Sequence, residues 1–153
     1  DVDGDRIGGL GLSVVAVSLK KKAAETDGLK AVVSEGAGVR SVREAVHVEG
    51  AEKLAFSWLF GLNTIGTAIF TSNLPPPSLT DLSAEITEPA LFIHATPGGG
   101  GETLTEKYYE AAKGPKEYWA APGGHTGAMD AAPEEYERRV VGFFDRHLLG
   151  RSS

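Results

Sequence analysis

Four short apolar runs separated by stretches of helical spacing constrain this chain more than any other feature. They are Ile7–Leu12 (IGGLGL), Leu29–Ser34 (LKAVVS), Pro89–Ala95 (PALFIHA) and Lys116–Ala121 (KEYWAA). Of these, Leu29–Ser34 is the apolar, β-branched run typical of a buried parallel strand. Between and after them, Val14–Glu25 and Glu102–Lys113 have helical spacing, the latter with Leu104, Tyr108 and Ala111/Ala112 on one side. Pro133–Leu149 predicts a terminal amphipathic helix, with proline at its start and Tyr136, Val140, Phe143, Phe144 and Leu148 as its buried stripe. Strand and helix in alternation predict an α/β fold: a mostly parallel sheet of about four strands flanked by helices, joined by right-handed crossovers. At 153 residues the expectation is a single domain, 1–153, large enough to bury roughly 70% of its unfolded surface.

Residues 46–80 break the alternation and read as a cap or insertion. Within them Leu54–Phe70 (LAFSWLFGLNTIGTAIF) is seventeen residues without a charge. That is the lower end of a membrane span, and two glycines, an asparagine and several hydroxyl residues weaken it further. A buried helix, or an apolar cap over the sheet, is the expectation.

Composition excludes several classes. The net charge of −6, with no basic stripe beyond Lys20-Lys21-Lys22, argues against nucleic acid as a partner. The absence of cysteine removes disulfides, thiolate chemistry and cysteine-based zinc sites. Asp1-Val2-Asp3-Gly4-Asp5 is the reverse of a basic leader and reads instead as the middle of a longer protein. The working location is cytoplasmic. Asp1-x-Asp3-x-Asp5 imitates a calcium loop, but Arg6 replaces its glycine and Leu12 its bidentate glutamate. Gly9-Leu10-Gly11 begins a dinucleotide fingerprint that Val14 interrupts, and Gly98–Gly101 lacks the Lys-Ser/Thr of a phosphate loop.

The chemistry-bearing residues follow the strand ends. Gly11-Leu12-Ser13-Val14-Val15 has the form of a nucleophile elbow, G-x-S-x-G, with valine in place of its last glycine. The positions two before and two after the serine face each other across the turn, so Val15 predicts a collision that Gly11 does not. A nucleophilic serine needs a base, and the base needs an acid to fix its tautomer. His125, in the glycine-flanked loop Pro122–Gly127 after the fourth run, has the place of a base. Glu102, after the third run, has that of the acid; Glu35, at the end of the second, is the reserve acid and Asp81 a third candidate. His94 reads as a core residue, His47 and His147 as solvated.

Arg6–Ser13 (RIGGLGLS), Leu29–Ser41 (LKAVVSEGAGVRS) and Lys107–Leu148 resemble the C-terminal half of an α/β-hydrolase of the dienelactone-hydrolase/esterase kind. The resemblance runs along nearly the whole chain except about residues 46–73. It implies strands five to eight of an eight-stranded sheet. It also implies Ser13 as nucleophile, His125 as base, Glu102 as acid and the Val14 backbone N–H as one oxyanion donor, with no metal or organic cofactor. The expected reaction is hydrolysis of a carboxylic ester or related small acyl compound. The family's front half, with the loop that supplies the second oxyanion donor, has no counterpart here. That leaves a sheet edge through which self-association is expected. The alternative is a catalytically inactive hydrolase remnant serving as a binding or assembly module.

Overall fold

The computed structural model describes residues 3–13, 15–16, 18–19, 22, 28–48, 53–71, 77–98 and 100–151. Its centre is a sheet of four parallel strands in the order β1-β2-β3-β4: β1 Gly8–Leu12, β2 Ala31–Glu35, β3 Ala90–Thr96 and β4 Lys116–Pro122. Gly8 pairs with Ala31 at the start of the first ladder, Val32 with Ala90 in the second, and Ala90 with Lys116 in the third. Because every strand runs the same way, all four C-terminal ends meet at one edge of the sheet, where open α/β sheets bind ligands. The expected fold class is therefore the observed one.

Helix α1 follows β1, its described residues lying within 15–22; the rest of the predicted Val14–Glu25 helix lies outside the described residues. Next come α2 (Val42–Ala45), α3 (Lys53–Thr71), α4 (Leu79–Ser83), α5 (Thr105–Ala111), α6 (Ala128–Ala131) and α7 (Pro133–Leu149). The predicted helix 102–113 is divided: a 3-10 turn, Gly100–Leu104, leads into α5. Three short helices, α2, α4 and α6, are too brief for a periodicity to announce them.

Alternating side chains send the strands' apolar groups into two layers. On one face Val32, Ala90 and Phe92 meet Leu79, Leu82, Ile86, Leu104 and Tyr108. On the other, Ala31, Val33, Leu91 and Ile93 meet Tyr136, Val140 and Phe143 of α7. Phe144 and Leu148 complete the predicted stripe as partly buried neighbours. Helix α7 ends at Gly150, whose left-handed φ of 65° suits a residue without a Cβ.

Three expectations are corrected. Leu54–Phe70 does form a helix, α3, but not a buried one: Leu54, Trp58, Leu62, Ile69 and Phe70 are exposed. It packs against α2, a helix of one turn too small to cover an apolar cylinder of five turns. His147 is not solvated, because its ring lies 4.7 Å from that of Phe143 and only a quarter of the side chain is exposed. His94 is half-buried beside Tyr118, and its Nδ1 is buried without a partner among the described residues. Among those residues no helix is long and apolar enough to cross a membrane.

Candidate active site

Ser13 is the first residue beyond β1 and has a φ of 50°, in the left-handed region that non-glycine residues seldom enter. Helical residues resume at 15, so the serine occupies a sharp strand-to-helix turn. Its N–H donates to the carbonyl of Glu35 at 2.9 Å, which pins the turn to the end of β2. Close approach is needed at Gly11, where a Cβ would stand 2.8 Å from both Cα and N of Ala16. The collision foreseen at Val15 does not occur. That side chain is 59% exposed, and the small partner of Gly11 across the turn is Ala16, which is fully buried.

The histidine arrives from the opposite edge of the sheet. The loop after β4 carries two left-handed residues, Gly123 (φ 109°) and Thr126 (φ 55°), and is closed by Gly127 N–H donating to Gly124 O at 2.8 Å. This folding turns His125 back over the strand ends, with Nε2 2.9 Å from Ser13 Oγ. The other ring nitrogen, Nδ1, is 2.9 Å from Oε1 of Glu102. Glu102 sits in the first turn of the 3-10 segment after β3 and is 1% exposed, whereas the His125 side chain is 54% exposed. The Nδ1–Oε1 contact is an ion-pair distance without hydrogen-bond alignment, and neither Glu102 oxygen has an aligned donor among the described residues. The carboxylate thus depends on the imidazole as its partner.

Gly36 forms the wall between acid and base. Its φ is 62°, and a Cβ there would lie 2.7 Å from Glu102 Oε1 and 3.2 Å from His125 Cε1. Glycine answers both demands at once, a left-handed backbone and no side chain. No sequence signal marked this position beyond its place after a strand.

The structure thus brings Ser13, His125 and Glu102 together. Val14 lies outside the described residues. The reserve acid Glu35 is buried, and its Oε1 accepts from Ala128 N–H at 3.2 Å rather than serving His125. Asp81 is occupied in capping α4, accepting from the Ser78 hydroxyl at 2.7 Å. Among the described residues no three His, Asp or Glu side chains converge as a metal site requires.

The parallel sheet and its flanking helices have counterparts in solved structures. The chain superposes on an acylaminoacyl peptidase of Pyrococcus horikoshii with a TM-score of 0.68 at 20% identity, over 96% of this chain and 25% of the other. A Pyrococcus furiosus esterase gives 0.65 at 19% identity, over 94% and 55%. An alpha/beta hydrolase from a Penicillium species gives 0.67 at 16% identity, over 97% and 66%. The fold is that of part of an α/β-hydrolase. In each case the chain spans less than two thirds of the partner's length. No family model matches the sequence, and no curated protein matches it. The likeness resides in the tertiary structure, at a low level of sequence identity.

Proposed function

We propose that the chain is a serine hydrolase acting on carboxylic esters or related acyl compounds, with Ser13 as nucleophile, His125 as general base and Glu102 as the acid that orients it. One observation carries this reading: side chains from three separate strand ends line up as Oγ, Nε2, Nδ1 and Oε1 with two successive separations of 2.9 Å. His125 Nε2 removes the Ser13 proton as Oγ attacks the substrate carbonyl, and the buried Glu102 charge stabilises the imidazolium. The tetrahedral oxyanion takes a hydrogen bond from the Val14 backbone N–H. Collapse sends the Nε2 proton to the leaving alcohol, and water, deprotonated by the same nitrogen, releases the acyl group from Ser13. Segment 46–80 serves as an apolar cap, a role that the exposed apolar side chains of Leu54, Trp58, Leu62 and Ile69 on α3 support.

The second reading, an inactive assembly module, is favoured by one feature. The nucleophile strand β1 is one of the sheet's two outer strands, and Leu10 and Leu12 on it, with Ile7 just before it, are all more than a third exposed. Fluorophosphonate labelling separates the two. A single adduct on Ser13 that disappears in His125→Ala supports the hydrolase; a folded chain that takes no adduct supports the module.

A further inference from the structure

Glu35 is a buried carboxylate that the proposed reaction does not use. It is 1% exposed, and no lysine or arginine among the described residues pairs with it. An unpaired carboxylate in a sheet core is costly, so its contacts must compensate. Its two ends reach different halves of the site. The main-chain carbonyl accepts from Ser13 N–H at 2.9 Å and so holds the serine turn. The side-chain Oε1 accepts from Ala128 N–H at 3.2 Å, where the histidine loop enters α6. The Tyr136 phenol, from α7, stands beside the same carboxylate.

The histidine needs such an anchor. More than half of the His125 side chain is exposed, so packing does little to fix the ring. Its place is set by the loop backbone, which runs through two left-handed residues before reaching Ala128. Ala128 itself is fully buried and gives its N–H to Glu35. The residue after Glu35 is Gly36, against which both His125 and Glu102 lie. One residue therefore bonds the elbow through its backbone and the base's loop through its side chain.

We infer that Glu35 is a positioning residue: its carboxylate sets the register of the 123–128 loop, and thereby the distance between His125 Nε2 and Ser13 Oγ. The inference rests on the hydrolase reading for its consequence in catalysis, but the placement of His125 is measurable without any reaction. Glutamine keeps an acceptor at the same reach, aspartate keeps the charge but falls short by one methylene, and leucine keeps the bulk alone.

The test compares the 153-residue chain with its Glu35→Gln, Glu35→Asp and Glu35→Leu variants by two readouts. One is the His125 ring resonances in 15N-labelled protein, assigned by their loss in His125→Ala. The other is the rate of fluorophosphonate labelling at Ser13. Glu35→Gln is expected to keep the wild-type ring resonances and to label within about threefold of wild type. Glu35→Asp and Glu35→Leu are expected to shift the ring resonances to those of a free histidine and to slow labelling at least about tenfold, since small misplacements of reacting groups are expensive. Their far-ultraviolet circular dichroism should remain that of wild type. If Glu35→Leu does not fold, the aspartate and glutamine variants decide between them. Wild-type resonances and labelling in Glu35→Asp overturn the proposal, as does a glutamine variant that fails alongside it. A wild-type chain that takes no adduct overturns the hydrolase reading instead, and the ring resonances then decide the role of Glu35.

Discussion

His125 Nε2 and Ser13 Oγ stand 2.9 Å apart although 112 residues separate them along the chain. They come from the two outer strands of the sheet, and the acid, Glu102, follows the strand beside the histidine's. The ring must therefore reach across β2 and β3 to meet the serine. That reach depends on the glycine-rich loop and on the absence of side chains at Gly36.

Glu102→Gln preserves the size of the acid but removes the charge that holds the imidazole and stabilises its protonated form. The reaction of Ser13 with a fluorophosphonate is expected to slow by about 10³–10⁴-fold, the scale of equivalent acid-to-amide changes in serine triads. The check is the second-order rate of adduct formation by intact-mass spectrometry.

Gly36→Ala introduces a Cβ 2.7 Å from Glu102 Oε1 on a residue whose φ is 62°. The backbone conflict alone costs about 1–3 kcal/mol, and the contact displaces the acid. Both a lower thermal midpoint and a loss of Ser13 labelling are expected, read by calorimetry and mass spectrometry on the same sample.

The two sides of the serine turn should respond differently. Gly11→Val sets a side chain against the Ala16 backbone, which cannot give way without moving α1, and should abolish labelling. Val15→Gly removes a side chain that is 59% exposed and should leave labelling within about threefold, apart from the few tenths to 1 kcal/mol that glycine costs a helix. Equal losses in both variants would contradict this division.

Leu10 is exposed on the outer strand β1, an edge without lysine, proline or bulge to deter pairing. Concentration-dependent association of the chain is expected, and Leu10→Lys should shift it toward monomer. Sedimentation velocity over a range of concentrations measures both.

Two phenols should stay protonated where a free tyrosine titrates. Burial comes first and the nearby Glu44 charge second in raising Tyr108; burial and then Glu35 raise Tyr136. The Tyr108 phenol also donates to Gly38 O at 3.0 Å. Because the folded state holds the proton more tightly, the stability these groups contribute is complete below pH about 10 and is lost as the pH rises above it. Absorbance at 295 nm should show Tyr108 and Tyr136 ionising only as the protein unfolds in alkali.

Much of this was written into the sequence. The four strands follow from apolar runs whose neighbours are turns, and α7 follows from a stripe that ends at a glycine. The candidate serine, acid and histidine follow from their places after three of those strands, because parallel strands bring their C-terminal ends to one edge. What local pattern could not reveal is what each residue touches. Apolarity of Leu54–Phe70 announced a helix, yet whether its surface is covered depends on neighbours that periodicity does not describe. Val15 looked obstructive because the elbow pattern counts positions along the chain; the contact is made through space, and Gly11 meets Ala16 there. Glu35 stood as a spare acid by its strand end, and only the packing of α7 against β2, and of α6 against α7 and β4, brings Tyr136 and Ala128 to its carboxylate. Sequence determined the elements and their order, since those depend on propensity and period. Tertiary structure decided exposure, close approach and partnership, since those are distances between residues far apart in the chain.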